Sequence, residues 1–313
     1  MPSFSCTVEE SIPSALRLDR YVAEHLKILS RSQIKARNLK ALLDGKPVKV
    51  SRPLKGGERL DLSWTAAESL FLLPQDIPLD VIYEDKRVIV VNKAQGMVVH
   101  PGAGNRQGTL ANALLYRRLN CNRAENEDAA CSAGQRPGIV HRLDKDTSGL
   151  MIAAWDDQAL AFLSDQFKAR KVRKSYAALV LGCPRQTPGS IDKRIVRSRR
   201  DRKTFTVSDN EGRSSLTRYK VIRTWGDFSL LLLRPKTGRT HQIRVHLKHL
   251  GNPILGDPLY GRPDSRFKKA SLMLHAKSLS LKIPGHENPK MFRTALPLRF
   301  RKIIRILNNG CRC

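Results

Sequence analysis

The chain has 313 residues, enough for two domains or for one large domain with an appendage. It carries 57 Lys and Arg against 28 Asp and Glu, a net charge of +29, too large an excess for an ordinary solvated surface; a polyanionic partner is expected, nucleic acid first. No apolar run reaches membrane-spanning length, residues 1–6 lack a basic segment followed by an apolar one, and the 6 cysteines are scattered without a Cys-x-x-Cys pair, so a spanning protein, a secretory signal and a disulfide framework are all disfavoured and a cytoplasmic chain with reduced thiols is expected.

Residues 16–26 place Leu18, Val22 and Leu26 four apart, as one face of a helix. A second helix starts at Ser30, where Ser30-Arg31-Ser32-Gln33 fits a capping box, with Ile34, Ala41 and Leu42 toward its buried side. Arg31 and Lys35 are four apart and stack on its exposed face. Asp44-Gly45 turns the chain, Val48 and Val50 alternate like a strand, and Gly56-Gly57 turns it again before Leu60-Asp61-Leu62. Residues 65–80 lose periodicity and contain Pro74 and Pro78, which marks a linker. The predicted organisation is a small domain over 15–64, the linker over 65–80, and a large domain over 81–313.

From Val81 the pattern is strand, turn, strand, through Val88 to Lys93. His100 is an acid-base candidate, but without a partner in sequence a structural hydrogen bond is the simpler role. Leu110, Ala111, Leu114 and Leu115 make an amphipathic helix, and the polar segment 120–136 has the composition of a mobile insertion. Then comes the stretch around which the chain is organised. Gly138-Ile139-Val140 and Leu150-Met151-Ile152-Ala153-Ala154 are short apolar runs of the buried-strand kind, and between them sits a dense polar turn closed by Ser148-Gly149. A charged loop held between core strands is what a catalytic constellation needs. Asp144 in that loop has three candidate roles, general base, nucleophile or metal ligand; Asp146 is the only other carboxylate at hand, too few for a hard-cation site. Arg142 and Lys145 flank Asp144 and favour its charged form, in which it can act as nucleophile or base. The plain alternative is a surface ion pair between Arg142 and Asp144.

Asp156 or Asp157 caps the next helix, with Leu160, Leu163 and Phe167 inward, and residues 174–180 form a strand. Residues 194–203 hold Arg194, Arg197, Arg199, Arg200, Arg202 and Lys203, a solvated loop or a phosphate contact. After the apolar run 230–233, Gly238 permits a tight turn and Thr240 can cap a helix with Ile243, Leu247 and Leu250 inward and with His241, Arg244 and Lys248 on one side. His241, His246 and His249 fall on different faces of that helix, which argues against zinc. A late strand over 272–276 and a basic terminal helix over 298–307 follow. Mostly strand–turn–strand connections with a few inserted helices predict an α+β fold with a mixed, largely antiparallel sheet.

His141-Arg142-Leu143-Asp144-Lys145-Asp146-Thr147-Ser148-Gly149-Leu150 resembles the signature of pseudouridine synthases of the RluA/RluD family, and the resemblance extends from about residue 15 to the C-terminus. Val98-Val99-His100-Pro101-Gly102 and residues 251–261 match as well, while Ala94-Gln95-Gly96 departs from the family's Pro-Ala-Gly. Leu18-Asp19-Arg20-Tyr21, Ser30-Arg31-Ser32-Gln33-Ile34, Asp44-Gly45-Lys46 and Gly56-Gly57-Glu58 resemble the RNA-binding domain named after small-subunit ribosomal protein four. The resemblance implies isomerisation of uridine to pseudouridine in a folded RNA. It gives Asp144 the catalytic role, sets Tyr176 against the target base and pairs Arg244 with Asp144. Arg142 is expected in the space left by an extruded base, and Arg31, Lys35, Arg200 and Arg202 on RNA. Detaching, turning and rejoining a base involves no redox change or phosphate transfer, so no cofactor and no metal are expected. The partner is RNA, ribosomal RNA of the large subunit first, with a pre-ribosomal particle as a possible form of it; no membrane is involved and the chain is expected to act as a monomer. Rival readings are a transfer-RNA enzyme of the same family, a glycosylase that releases free base, and a non-catalytic RNA-binding or ribosome assembly factor.

Overall fold

A computed structural model describes residues 1–13, 15–66, 72–102, 104–121 and 138–310. The chain divides into two compact units, Met1–Leu70 and Phe71–Cys313. Most of the polar segment 120–136 lies outside the described residues.

The first unit holds β1 (Ser3–Thr7), α1 (Leu18–Arg20) running on into one wide turn (Tyr21–His25), α2 (Arg31–Ala36), β2 (Lys40–Leu43), β3 (Lys46–Val48) and β4 (Arg59–Ser63). The strands form an antiparallel sheet in the order β1-β4-β2-β3. The capping box forms: Ser30 Oγ accepts from the Gln33 amide at 3.4 Å and Gln33 Oε1 accepts from the Ser30 amide at 2.8 Å. The helix stops sooner than the sequence implied. Asn38 takes a left-handed φ of 46°, the conformation that ends helices, so Ala41 and Leu42 belong to β2. There they alternate, Ala41 buried against Leu18, Val22 and Leu60, and Leu42 exposed. The wide turn joins Leu26 N–H to Tyr21 O, which leaves Tyr21 and Val22 fully buried and Leu26 only partly so.

The second unit holds β5 (Val81–Glu84), β6 (Val88–Lys93), α3 (Leu110–Cys121), β7 (Gly138–Ile139), β8 (Ser148–Ala154), α4 (Asp157–Lys168), β9 (Arg173–Leu181), β10 (Gly189–Arg197), β11 (Phe205–Ser208), β12 (Arg213–Trp225), β13 (Phe228–Pro235), α5 (Gln242–His249), β14 (Leu274–Leu281), β15 (Lys290–Arg293) and α6 (Leu298–Gly310). Its sheet runs β11-β10-β12-β13-β9-β14-β8-β6-β5, with β15 on β14 and β7 on β8. Among the described strand pairs of this sheet only β14–β8 is parallel, so the fold is α+β with a mixed, largely antiparallel sheet. All seven residues of β8 are buried. Leu150, Ile152 and Ala154 enter a cluster with Val88, Val90 and Leu163, while Met151 and Ala153 face Ile89, Leu110 and Leu114. That two-sided burial explains the unbroken apolar run in sequence, each Leu or Ile contributing about 1.5–3 kcal/mol. Gly149 makes the parallel pairing possible: with φ at 119°, a Cβ there would run into the backbone of Ala276 on β14. The central loop therefore enters β8 in the middle of the sheet, with β9 one strand beyond β14.

Candidate active site

The loop from Val140 to Thr147 hangs between β7 and β8 and is tied down through its backbone. Lys93, at the end of β6, is 1% exposed, and its ammonium donates to the carbonyls of Ala94 at 2.9 Å, Met97 at 2.8 Å and Lys145 at 3.1 Å. Burial pushes this lysine down to about 8. The Gly96 amide donates to Lys145 O at 2.9 Å and the Gln95 side chain to Asp146 O at 3.0 Å. Gln95 thus ties the backbone of the loop that carries Asp144, in the very turn where the sequence departs from Pro-Ala-Gly. At the loop's start, His141 Nε2 accepts from the Ile152 amide at 3.0 Å and its ring stacks on Phe167 at 4.6 Å. Burial, and then the charge of Lys174, push His141 down to about 3, so it is neutral and structural. Leu143 is buried among Ile89, Leu110 and Met151, which leaves Arg142 exposed and Asp144 at the edge of a cavity.

That cavity, of about 450 Å³, is lined by Arg142, Asp144, Lys174, Tyr176, His241 and Arg244, among others. Three residues far apart in sequence and expected to act together thus share one cavity: Asp144 from the loop, Tyr176 from β9 and Arg244 from α5. Arg244 Nη1 donates to Asp144 Oδ2 at 3.2 Å. Its stronger partner is Asp257, which it grips with Nε at 2.8 Å and Nη2 at 2.7 Å. The Arg244 side chain is 4% exposed and that of Asp257 0%. Burial works against the charged guanidinium, but the hydrogen bonds and charge of Asp257, with Asp144 behind, outweigh it and raise the Arg244 pKa. Asp257 also accepts from the amides of Leu259 at 2.9 Å and Tyr260 at 3.1 Å, so the fork is fixed from its far side.

The start of α5 differs from the sequence expectation. Its N-cap is His241, not Thr240, and His241 sits in the left-handed region at φ 55° with no side-chain cap. That conformation costs a residue with a Cβ roughly 1–2 kcal/mol. In return the ring is delivered to the cavity: Nδ1 meets the Tyr260 hydroxyl at 2.8 Å and Nε2 stands 3.9 Å from Asp144 Oδ2. The Tyr260 oxygen also accepts from the Phe205 amide at 2.9 Å, so the hydroxyl that meets the imidazole is itself held in place. Burial lowers the His241 pKa against the pull of Asp144. Tyr176 is raised by burial and then by Asp144, so its phenol stays protonated and offers a neutral face.

The remaining candidates lie elsewhere. His100 does not line the cavity. His246 is fully buried between Ser215 Oγ and Thr217 Oγ1, both at 2.9 Å, and burial pushes it down to about 4. Arg200 and Arg202 are exposed on the turn between β10 and β11. Arg197, Arg200 and Phe205 line a second hollow with Lys248, His249 and Tyr260 of and beyond α5. In the first unit, Arg31 and Lys35 line a shallow hollow with Asp19, and Arg31 Nη2 lies 3.6 Å from Asp19 Oδ2. Among the described residues no three His, Cys, Asp or Glu side chains gather as a metal site, and no helix is long and apolar enough to cross a membrane. Sequence reasoning passed over Asp257, Tyr260 and Lys93. The first two lie in the matched stretch 251–261, and a charged residue closing an apolar strand was the one signal for Lys93.

Comparison with known proteins points the same way. A sequence model described as RNA pseudouridylate synthase matches residues 87–249. The chain is 43% identical to a protein of Borreliella burgdorferi named ribosomal large subunit pseudouridine synthase D, over 94% of this chain and 89% of that one. It is 43% identical to an uncharacterized RNA pseudouridine synthase of Chloroflexus aurantiacus, over 95% and 91%. Among solved structures, human RNA pseudouridylate synthase domain containing 4 superposes with a TM-score of 0.59 at 26% identity, covering 73% of this chain and 92% of its own.

Proposed function

The chain belongs to the RNA pseudouridylate synthase family, and from that premise we propose that it isomerises specific uridines of large-subunit ribosomal RNA to pseudouridine. The observation that carries the assignment of residues is the cavity in which Asp144, Tyr176 and Arg244 meet, with Arg244 locked on Asp257. Asp144 acts on the sugar, as a covalent anchor or as the base that takes a sugar proton. Arg244 orients it, and Tyr176 supplies a flat neutral surface for the uracil. The ribosomal substrate is supported by the relative named for it and by the net charge of +29. The first unit is the RNA-binding domain of ribosomal-protein-four type, with Arg31 and Lys35 on phosphates, and Arg200 and Arg202 contact the RNA from the β10–β11 turn. The protein works in the cytoplasm as a monomer without cofactor. Pseudouridine mapping of ribosomal and transfer RNA, from cells with and without the protein, tests the substrate. A uridine of large-subunit RNA that stays unmodified only in the deleted strain is the expected result. A change confined to transfer RNA would move the enzyme to that substrate.

Arg142 lies two residues before Asp144, and both line the cavity, as residues two apart in an extended stretch should. It fills the gap left when the target base is extruded, a step that costs roughly a few kcal/mol. Arg142→Ala should therefore slow single-turnover reaction more on a well-stacked target than on the same uridine in an unstructured RNA. Equal fractional losses on the two would leave Arg142 a phosphate contact only.

A further inference from the structure

The cavity also holds a cation that the reading above leaves without a task. Lys174 stands two residues before Tyr176 on β9, so both side chains leave the strand on one face, and both line the cavity. The Lys174 ammonium lies 5.7 Å from the centroid of Phe167 and 3.7 Å from where a Cβ on Gly238 would sit, and both of those residues are cavity wall. Among the described residues it has neither a hydrogen bond nor a carboxylate partner. Burial lowers its pKa from the ordinary lysine value. The other residues around it bring no counter-charge: His141 is neutral, Phe167 is apolar, and Lys168 and Arg170 on the same wall are cationic and exposed. A desolvated ammonium held without an anion is a cost that a fold carries where an anion is to arrive.

We propose that Lys174 is a further catalytic residue, one that touches the uracil ring and stabilises the negative charge the ring acquires when it leaves its sugar. The proposal rests on reading the chain as a uridine isomerase. Breaking N1–C1′ sends both bonding electrons to the ring, which becomes an anion with its charge over N1, O2 and O4. On the sugar side, the Asp144 carboxylate either bonds to C1′ or takes the C2′ proton, leaving a double bond. The ring turns and C5 bonds to C1′ as the ester breaks or the C2′ proton returns; C5 then gives up its proton and N1 takes one, so the product is neutral. Asp144, an anion, cannot stabilise the departing ring, and Arg244 is engaged with two carboxylates. Lys174 lines the same cavity as Tyr176, and an ammonium in place before the bond breaks needs no reorganisation when the charge appears. Its three donors on a flexible stem can follow the ring as it turns.

The test uses the full chain and a synthetic ribosomal RNA stem-loop radiolabelled at the mapped target, which is either uridine or 5-fluorouridine. Fluorine withdraws electrons and makes the departing ring a weaker base in need of less help. The readout is disappearance of the starting nucleoside in nuclease digests under single-turnover, saturating conditions, which follows N1–C1′ cleavage whatever then becomes of the ring. Lys174→Met should lose roughly 10²-fold in rate on uridine, the scale of one lost oxyanion donor, while RNA affinity by filter binding stays within about threefold. The loss should shrink several-fold on 5-fluorouridine, and Lys174→Arg should recover most of the rate. A wild-type rate, equal fractional losses on the two RNAs, or a loss confined to affinity would each overturn the proposal, the last assigning Lys174 to a phosphate. Should Lys174→Met lose its cooperative thermal transition, Lys174→Gln carries the same comparison. A wild-type protein that isomerises neither RNA is a different result, and it sinks the activity reading itself.

Discussion

Asp144→Asn is expected to abolish isomerisation while leaving RNA affinity within a few-fold and the fold intact. Asparagine keeps the size of the side chain and an oxygen for Arg244 Nη1, now 3.2 Å from Asp144 Oδ2. It loses the negative charge, and with it both the nucleophile and the base. The loop does not depend on that charge, because its anchors are backbone atoms: Lys145 O to Lys93 and Gly96, Asp146 O to Gln95, and Asp144 O to the Thr147 amide at 3.1 Å. Nor is the guanidinium orphaned, since Asp257 still holds it by two hydrogen bonds. The expected loss in single-turnover rate is at least ~10⁴-fold, about 5 kcal/mol of barrier, measured as pseudouridine in nuclease digests. Activity within about tenfold of wild type, only ~1.4 kcal/mol, would remove Asp144 from the chemistry. The same experiment separates the rivals: free uracil released by the wild type would mark a glycosylase, and an unchanged phenotype on replacing Asp144 would mark a binding factor.

The features legible in sequence are those whose cause is local. The Ser30–Gln33 capping box closes within one turn of helix, and the β7–loop–β8 unit shows itself as two apolar runs around a polar turn. Misreadings arose where a distant partner decides the outcome. Thr240 satisfies every local rule for an N-cap, yet His241 takes the position in a strained conformation because Tyr260 and Asp144 lie on either side of its ring. Ala41 and Leu42 continue a helical period, but Asn38 turns the chain into a sheet whose neighbour is β4. Lys93 looks like the polar end of a strand and is instead a buried tether, because the carbonyls it binds come from Met97 and, 52 residues on, from Lys145. The pairing of Arg244 with Asp144 came from family resemblance and not from spacing. Its tighter partner, Asp257, was in plain view in a matched stretch with no role attached.

That second partner changes what Arg244→Ala should do. Removing the guanidinium takes away the hydrogen bond to Asp144, and it also leaves Asp257, with a side chain 0% exposed, as an uncompensated buried charge. Two losses should appear, in two separate measurements. Single-turnover rate should fall by about 10²–10³, the scale of one preorganised electrostatic contact. Unfolding free energy should fall by about 3–5 kcal/mol, the usual cost of breaking one side of a buried pair. For a unit of this size that means a melting point lower by roughly 6–15 °C. Asp257→Asn splits the two. It unpairs the buried guanidinium and should cost comparable stability, but Nη1 can still reach Asp144, so the rate should fall much less. Arg244→Lys should fail on both counts, because an ammonium cannot hold Asp257 with two parallel donors and still reach Asp144 with a third. The arrangement therefore makes Arg244 a strut between the buried Asp257 and the Asp144 carboxylate. If Asp257→Asn is as inactive as Arg244→Ala while both remain folded, Asp257 shapes the chemistry directly and the strut is the wrong description. If Arg244→Ala turns over within about tenfold of wild type, the contact to Asp144 contributes less than ~1.4 kcal/mol and Asp144 is positioned by its loop alone.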